Sequence, residues 1–326
     1  FSFKFRTVDR GSVRIIQTYP RAAESNVPLN PSFIMVFDAK IVNKSVSSNV
    51  AVLDMNGNIP VGPDGKEVKI NTRGAKYNQA PAPYGHAAFE IGGAGLMPNT
   101  DYQLVLYPAI SDVDGILLND TVVIPFRTGE EVEPTLPLVD QMETAFFVVD
   151  KETSVDASGL SVLADKNKKY AGSYSNKLAY TFNAVGGEAV FAAINPALIV
   201  GNSKSKLGMY VGADYSFNTL YAKWATDGDI KYTKICDLDY AGWLYQEADM
   251  STLPEGVDYQ FMGFRLVRQS SFLSQKGEIS VDALRVQFEP STPTAVEDIM
   301  LPSAEGKIIE GGYLYILLNG KRYNAQ

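Results

Sequence analysis

Apolar residues along the chain fall in short runs, and helical spacing is almost absent. Examples are SFIMVFD (32–38), DYQLVLYP (101–108), TVVIPFRT (121–128), KLGMYVG (206–212), TLYAKWA (219–225) and FMGFRLVR (261–268). Turn-forming clusters such as MNGN (55–58), GPDG (62–65) and DGDI (227–230) stand between such runs. Strand-length segments punctuated by Gly, Pro, Asn and Asp predict an all-β protein built from sandwiches or barrels.

The runs group into modules. FKFRTV (3–8) is echoed by IPFRTG (124–129), each an apolar strand closing on Arg-Thr. The second copy precedes an acidic, Pro-containing stretch, EEVEPTLP (130–137), which reads as a linker. A repeated strand end suggests a repeated module end. Residues 1–11 are therefore expected to carry the terminal strand of a preceding module. Residues 12–129 form one module and 138–289 a second, and 290–326 hold a Pro-broken linker and a short hairpin. The tail KIIEGGYLYILLNGKRYN reads as two short strands around Gly-Gly and Asn-Gly turns. The chain opens without Met or signal peptide, as expected of a mature or trimmed fragment.

Composition narrows the functions. The 326 residues carry 29 Lys and Arg against 37 Asp and Glu, a net charge of −8 with no basic stripe, which argues against nucleic acid. No run of 18 apolar residues is present, so no transmembrane helix is expected. The single Cys (Cys236) allows no internal disulfide, and with the single His (His86) it leaves no basis for a His/Cys zinc site. His86, in the Pro- and Gly-rich stretch APAPYGHAAF, reads as a solvated loop residue. No phosphate loop, nucleophile elbow or Cys–His pairing is visible, and no carboxylate pair is fixed at a catalytic spacing. Asp112 and Asp114 in SDVDG have the spacing of a calcium loop but lack its later oxygen ligands, so a turn is expected.

The first module contains Pro20, Val27, Pro28, Leu29 and Asn30, then Leu96, Pro98, Thr100 and Tyr102, then Asp112 and Gly115, then Phe126, Thr128 and Gly129. In this order they resemble the opening, middle, loop and end motifs of the bacterial immunoglobulin-like domain of S-layer and other surface proteins. The resemblance implies a sandwich of about seven strands acting as a spacer or adhesion module.

The second module opens with Asp140 and Glu143, continues through Lys177 to Phe182 and Gly242-Trp243, and closes on Gly277 to Leu284. This succession resembles the jelly-roll, galactose-binding-like sandwich of carbohydrate-binding modules. It is most similar to the copy attached to bacterial phosphodiester glycosidases. The resemblance implies a glycan-binding accessory module and a structural calcium held by Glu143 and Asp282. In the tail, Ala295, Val296, Glu297 and Ile299, then Gly312, Leu314, Tyr315, Ile316, Asn319, Gly320, Tyr323 and Asn324, resemble the C-terminal segment of secreted Bacteroidetes proteins. That likeness implies a secreted, cell-surface or periplasmic location.

Strand parity then separates core from surface in the second module. Leu207, Met209 and Val211 share one face of their strand, opposite Gly208 and Tyr210. Leu220, Ala222 and Trp224 oppose Tyr221 and Lys223, and Met262, Phe264 and Leu266 oppose Gly263 and Arg265. The apolar faces are expected in the core. Tyr210, Tyr221, Lys223 and Arg265 are expected on the concave surface where jelly-roll modules hold sugar, with rings to stack and cations to donate. The alternative is a plain solvated sheet face with amphipathic side chains lying flat. Trp224 is expected in the core, and Trp243 in packing at a strand start. The expected function is a non-catalytic accessory region of an exported bacterial protein that binds polysaccharide. A purely structural surface protein, or part of an exopolysaccharide-processing enzyme, are the alternatives.

Overall fold

A computed structural model describes residues 11–77, 84–92, 95–269 and 276–289, and the backbone of three strands between 305 and 324. The strand expected at residues 3–8 lies outside the described residues. The fold is all-β, with two sandwiches in sequence and, among the described residues, one short α-helix, α1 (Asn43–Ser48), and two short 3-10 turns at Pro196–Leu198 and Met250–Thr252. No helix among the described residues is long and apolar enough to cross a membrane.

The first sandwich has eight strands: β1 (Ile15–Tyr19), β2 (Glu24–Val27), β3 (Ser32–Phe37), β4 (Val50–Asp54), β5 (Lys69–Tyr77), β6 (Gly85–Gly92), β7 (Asp101–Leu106) and β8 (Val122–Thr128). They form two four-stranded sheets, ordered β1-β3-β6-β5 and β2-β8-β7-β4. The strand beyond the expected seven is β2, a short segment that pairs parallel to β8. Phe33, Met35, Phe37, Phe89, Leu104 and Phe126 fill the core between the sheets. The Leu-x-Pro-x-Thr-x-Tyr motif works as a corner. The Tyr102 hydroxyl accepts from the Met97 N–H at 3.1 Å, and Thr128 Oγ1 donates to Met97 O at 2.6 Å. Asp112 Oδ1 accepts from the N–H groups of Asp114 and Ile116, so SDVDG is a turn, as expected.

The second sandwich holds β9 (Leu138–Asp140), β10 (Phe147–Val155), β11 (Ala157–Asp165), β12 (Ser175–Phe182), β13 (Glu188–Ala193), β14 (Val200–Gly201), β15 (Lys206–Asp214), β16 (Thr219–Thr226), β17 (Asp229–Asp237), β18 (Ala241–Glu247), β19 (Tyr259–Val267) and β20 (Lys276–Gln287). The front sheet runs β11-β12-β20-β15-β18, with β9 beside β20. The back sheet runs β10-β13-β19-β16-β17, with β14 beside β19. Leu207, Met209 and Val211 from the front meet Leu220, Ala222, Trp224, Phe264 and Leu266 from the back, all fully buried. Trp224 donates its indole N–H to Thr233 Oγ1 at 2.9 Å, which settles a buried polar atom.

Parity fails at one place. Phe261, not Met262, joins the core, because the β16–β19 register slips between Lys223 and Trp224. Gly263 absorbs the bulge at φ +122, where a Cβ would strike the Phe191 carbonyl oxygen.

The two sandwiches belong to one compact unit. Tyr19 and Ile34 of the first are buried within the core of the second. The Tyr19 and Tyr215 rings lie 4.7 Å apart, and Tyr215 Oη accepts from Gln17 Nε2 and Arg21 Nε. Pro31 makes a β-bridge with Gly242. Gly242 has φ +123, and a Cβ there would lie 2.6 Å from Asn30 O. Its missing side chain lets the Pro-Leu-Asn-Pro turn of the first sandwich dock.

Residues 290–326 form a separate unit. It has three antiparallel strands, β21 (Glu305–Glu310), β22 (Tyr313–Leu318) and β23 (Lys321–Asn324), where two were expected. The Lys-Arg-Tyr-Asn segment pairs back onto β22 as a strand of its own.

Candidate functional site

The four residues expected to line one groove are divided between two surfaces. Tyr210 is on β15 of the front sheet, whereas Tyr221, Lys223 and Arg265 are on β16 and β19 of the back sheet. Both sheets turn an apolar face inward, so their polar faces point to opposite sides of the sandwich.

On the back sheet the three residues are held by neighbours. The Arg265 guanidinium lies 4.2 Å from the Tyr232 ring centroid and 5.7 Å from that of Tyr221, and its Nη2 meets Glu188 Oε1 at 2.7 Å. Lys223 is 7% exposed, with its Nζ 3.6 Å from Asp150 Oδ2 and 3.4 Å from Thr153 Oγ1. Burial works to raise the Asp150 pKa, but hydrogen bonds from Thr153 and the charge of Lys223 hold it below the usual carboxylate range. The three side chains are held by pairs within the sheet face, although Arg265 Nε is buried without a hydrogen-bond partner.

The front sheet presents a different surface. Gly208, Tyr210 and Gly212 point outward in alternation along β15, and β18 sets Tyr245 opposite Tyr210 and Trp243 opposite Gly212. Each glycine is a seat for a ring. A Cβ on Gly212 would lie 3.1 Å from the Trp243 indole, and one on Gly208 would strike the Tyr245 hydroxyl. Tyr210 is almost fully buried and donates its hydroxyl to Val132 O of the linker at 3.1 Å. On top of it lies Tyr170, with centroids 3.5 Å apart, planes at 15° and 41% of the residue exposed. Trp243 meets Tyr170 edge-on at 6.1 Å.

These rings line a cleft of about 650 Å³. Its opposite wall comes from Val27–Ser32 and Glu90 of the first sandwich and from Glu130–Val132 of the linker. The volume suits a small-molecule or oligosaccharide site. Of the expected glycan residues the structure brings only Tyr210 here, as the base of the stack. Tyr170 and Tyr245 were not expected from the sequence, and Trp243, expected in packing at a strand start, packs over Gly212. Their signal is the Gly-x-Tyr-x-Gly spacing of 208–212, which clears two ring-sized places on one strand face.

A second cavity, of about 730 Å³, lies in the same seam. His86 lines it from strand β6, half-buried, rather than standing in a solvated loop. Burial, and then the Lys76 charge, bring its pKa down to about 4. Tyr180 donates to Asp214 Oδ2 at 2.7 Å, and burial raises the Asp214 pKa.

Glu143 and Asp282 do converge, on the turn formed by Tyr170–Ser173. Asp282 Oδ2 accepts from the N–H groups of Tyr170 and Ala171, and Glu143 Oε1 accepts from that of Ser173. Gly172, at φ +58, leaves the space that Glu143 Oε1 fills. Asp282 is fully buried and its Oδ1 has no hydrogen-bond partner. Burial raises its pKa, against backbone N–H groups of Ala171, Tyr170 and Ala283 that lower it, and the neighbouring Glu143 charge raises it further. Two carboxylates with one orphaned buried oxygen fit a hard cation. Among the described residues no group of three or more His, Cys, Asp or Glu is placed to hold a metal, so backbone oxygens and water would complete the shell.

No curated protein matches the chain. Several solved structures are similar at low level, among them the following two. One is the C-terminal family 22 carbohydrate-binding module of Clostridium thermocellum Xyn10B, at 13% identity over 47% of this chain and 98% of that one, with a TM-score of 0.25. The other is SGBP-B from a complex xyloglucan utilization locus in Bacteroides uniformis, at 10% identity over 85% of this chain and 73% of that one, with a TM-score of 0.31. Likeness at this level says nothing about a ligand. Residues 9–128, which hold the whole first sandwich, match the family model of the bacterial Ig-like domain.

Proposed function

We propose that the chain is a non-catalytic accessory region of an exported bacterial surface protein, and that its jelly-roll sandwich binds glycan in the front-sheet cleft. The observation that carries this reading is the ring cluster. Tyr170 is backed by Tyr210 and flanked by Trp243, so its free face is a rigid platform at the mouth of a 650 Å³ cleft. Rigid aromatic faces bind the apolar face of a pyranose at low entropic cost, and hydroxyls around the ring find polar groups beside them. The family match of residues 9–128 supports the surface location.

The back-sheet residues Tyr221, Lys223 and Arg265 are assigned to holding the sheet face together. The test is affinity electrophoresis of the whole chain in gels containing a panel of polysaccharides. Trp243→Ala and Tyr170→Ala should each weaken binding about tenfold. Tyr221→Ala with Arg265→Ala should leave it unchanged. If the front-sheet variants bind normally, or no polysaccharide retards the protein, the chain is a structural surface module instead.

Glu143 and Asp282 are proposed to hold a calcium ion that fastens the Tyr170 turn to the sandwich. Both bond to the backbone of that turn. The ion would neutralise the carboxylates there and leave Tyr170 fixed in place.

A further inference from the structure

The aromatic cleft and the second cavity share Ser32, Glu90 and Lys168 in their walls, so they adjoin at those residues. Ser32 and Glu90 are opposite one another on β3 and β6 of the Ig-like sandwich. Lys168 comes from the jelly-roll loop that also carries Tyr170. The two cavities thus adjoin along the seam, one at Trp243 and Tyr170, the other at Asp214 and Lys76.

The second cavity carries a few prearranged polar groups. Lys76 of the Ig-like sandwich meets Glu278 of the jelly roll at 2.9 Å. Asp214 is oriented by Tyr180 and by the Ser216 N–H. Burial lowers the pKa of the half-buried Lys168, and the charges of Glu90 and Asp214 offset this only in part. Such a wall offers both donors and acceptors.

Charge decides the class of ligand. The two cavities together are lined by four lysines (Lys76, Lys168, Lys169, Lys276) and five acids (Glu90, Glu130, Glu131, Asp214, Glu278). The groove carries no cationic excess, and the chain as a whole has a net charge of −8. A polyanion would be repelled in approach and would find no surplus cation on arrival. A neutral chain of hydroxyls suits mixed donors and acceptors.

We propose that this seam is a glycan groove to which the Ig-like sandwich contributes one wall, and that it takes a neutral rather than an acidic polysaccharide. This rests on the reading that the ring cluster binds sugar. The Ig-like sandwich is then half of the binding site and not a spacer. Its wall is held in place by the Pro31–Gly242 bridge and the Tyr19–Tyr215 contact.

The experiment is affinity electrophoresis of the 326-residue chain against xyloglucan, xylan, galactomannan and mixed-linkage β-glucan, with alginate and polygalacturonate as acidic probes. At least one neutral polymer should retard the protein, and the acidic ones should not. Glu90→Ala should weaken binding roughly fivefold. Ser32→Trp should block the junction of the two cavities and abolish binding, with folding checked by circular dichroism. Folding of the Glu90→Ala variant is checked in the same way. If Trp243→Ala loses binding while Glu90→Ala and Ser32→Trp retain it, the Ig-like wall is overturned and the ring-cluster reading survives. If Trp243→Ala retains binding, or nothing binds, both fall. Preference for alginate or polygalacturonate would overturn the neutral class.

Discussion

Asp282 sets the most direct test at the level of a single residue. Its folded pKa is raised, so the metal-free protein gains stability from it below the ordinary carboxylate pKa of about 3.9 and loses that gain as pH rises through the raised value. A bound cation would reverse the cost at neutral pH. Millimolar calcium should therefore raise the melting temperature, and EDTA should lower it. Asp282→Asn should abolish the calcium response while leaving the metal-free protein at least as stable at pH 7. An unchanged melting temperature on adding EDTA would refute the calcium site. The pairing of Glu143 with Asp282 was legible only through resemblance to jelly-roll modules. Their separation in the chain hides that both bond to the turn at 170–173. Tyr170 itself was invisible for the same reason. It is on a loop, where alternation gives no orientation, and its role comes from the ring beneath it.

Among elements, strand parity located inside and outside well. It placed Leu207, Met209, Val211, Leu220, Ala222 and Trp224 in the core, where all six are. Parity does not say which sheet a strand joins, because both sheets of a sandwich turn an apolar face inward. That is why Tyr210 was grouped with Tyr221, Lys223 and Arg265. Nor does it anticipate a bulge, and β19 contains one at Gly263. Gly263→Ala should cost about 2 kcal/mol or more, since the backbone is in the left-handed region and the Phe191 carbonyl occupies the Cβ position. Chemical denaturation would measure this. A cost below about 0.5 kcal/mol, typical of an unconstrained surface site, would show that the bulge is not required. In β3 the unbroken run Phe33–Phe37 is buried on both faces, as continuous apolar strands are. The covering partner for Ile34 is the jelly roll. The run thus carried a message about the second sandwich.

For the whole molecule, the seam predicts coupled unfolding. Tyr19 is 1% exposed and packs against Tyr215 across the two sandwiches. Residues 11–289 should melt in one calorimetric transition, whereas independent sandwiches would give two. Tyr19→Ala should remove about 3 kcal/mol and split the transition. A single unshifted transition in that variant would show that the contact couples nothing.

The docking of Pro31 on Gly242 has a consequence for descent. Module boundaries fall in Pro-containing, polar linkers that few contacts cross. Here the stretch 130–137 has the composition of such a joint. A crossover within it would give the jelly roll a new neighbour without the turn that Gly242 accommodates, and would open a fully covered apolar surface at Tyr19 and Ile34. The inherited unit is therefore the pair, and related genes should carry both sandwiches together or neither.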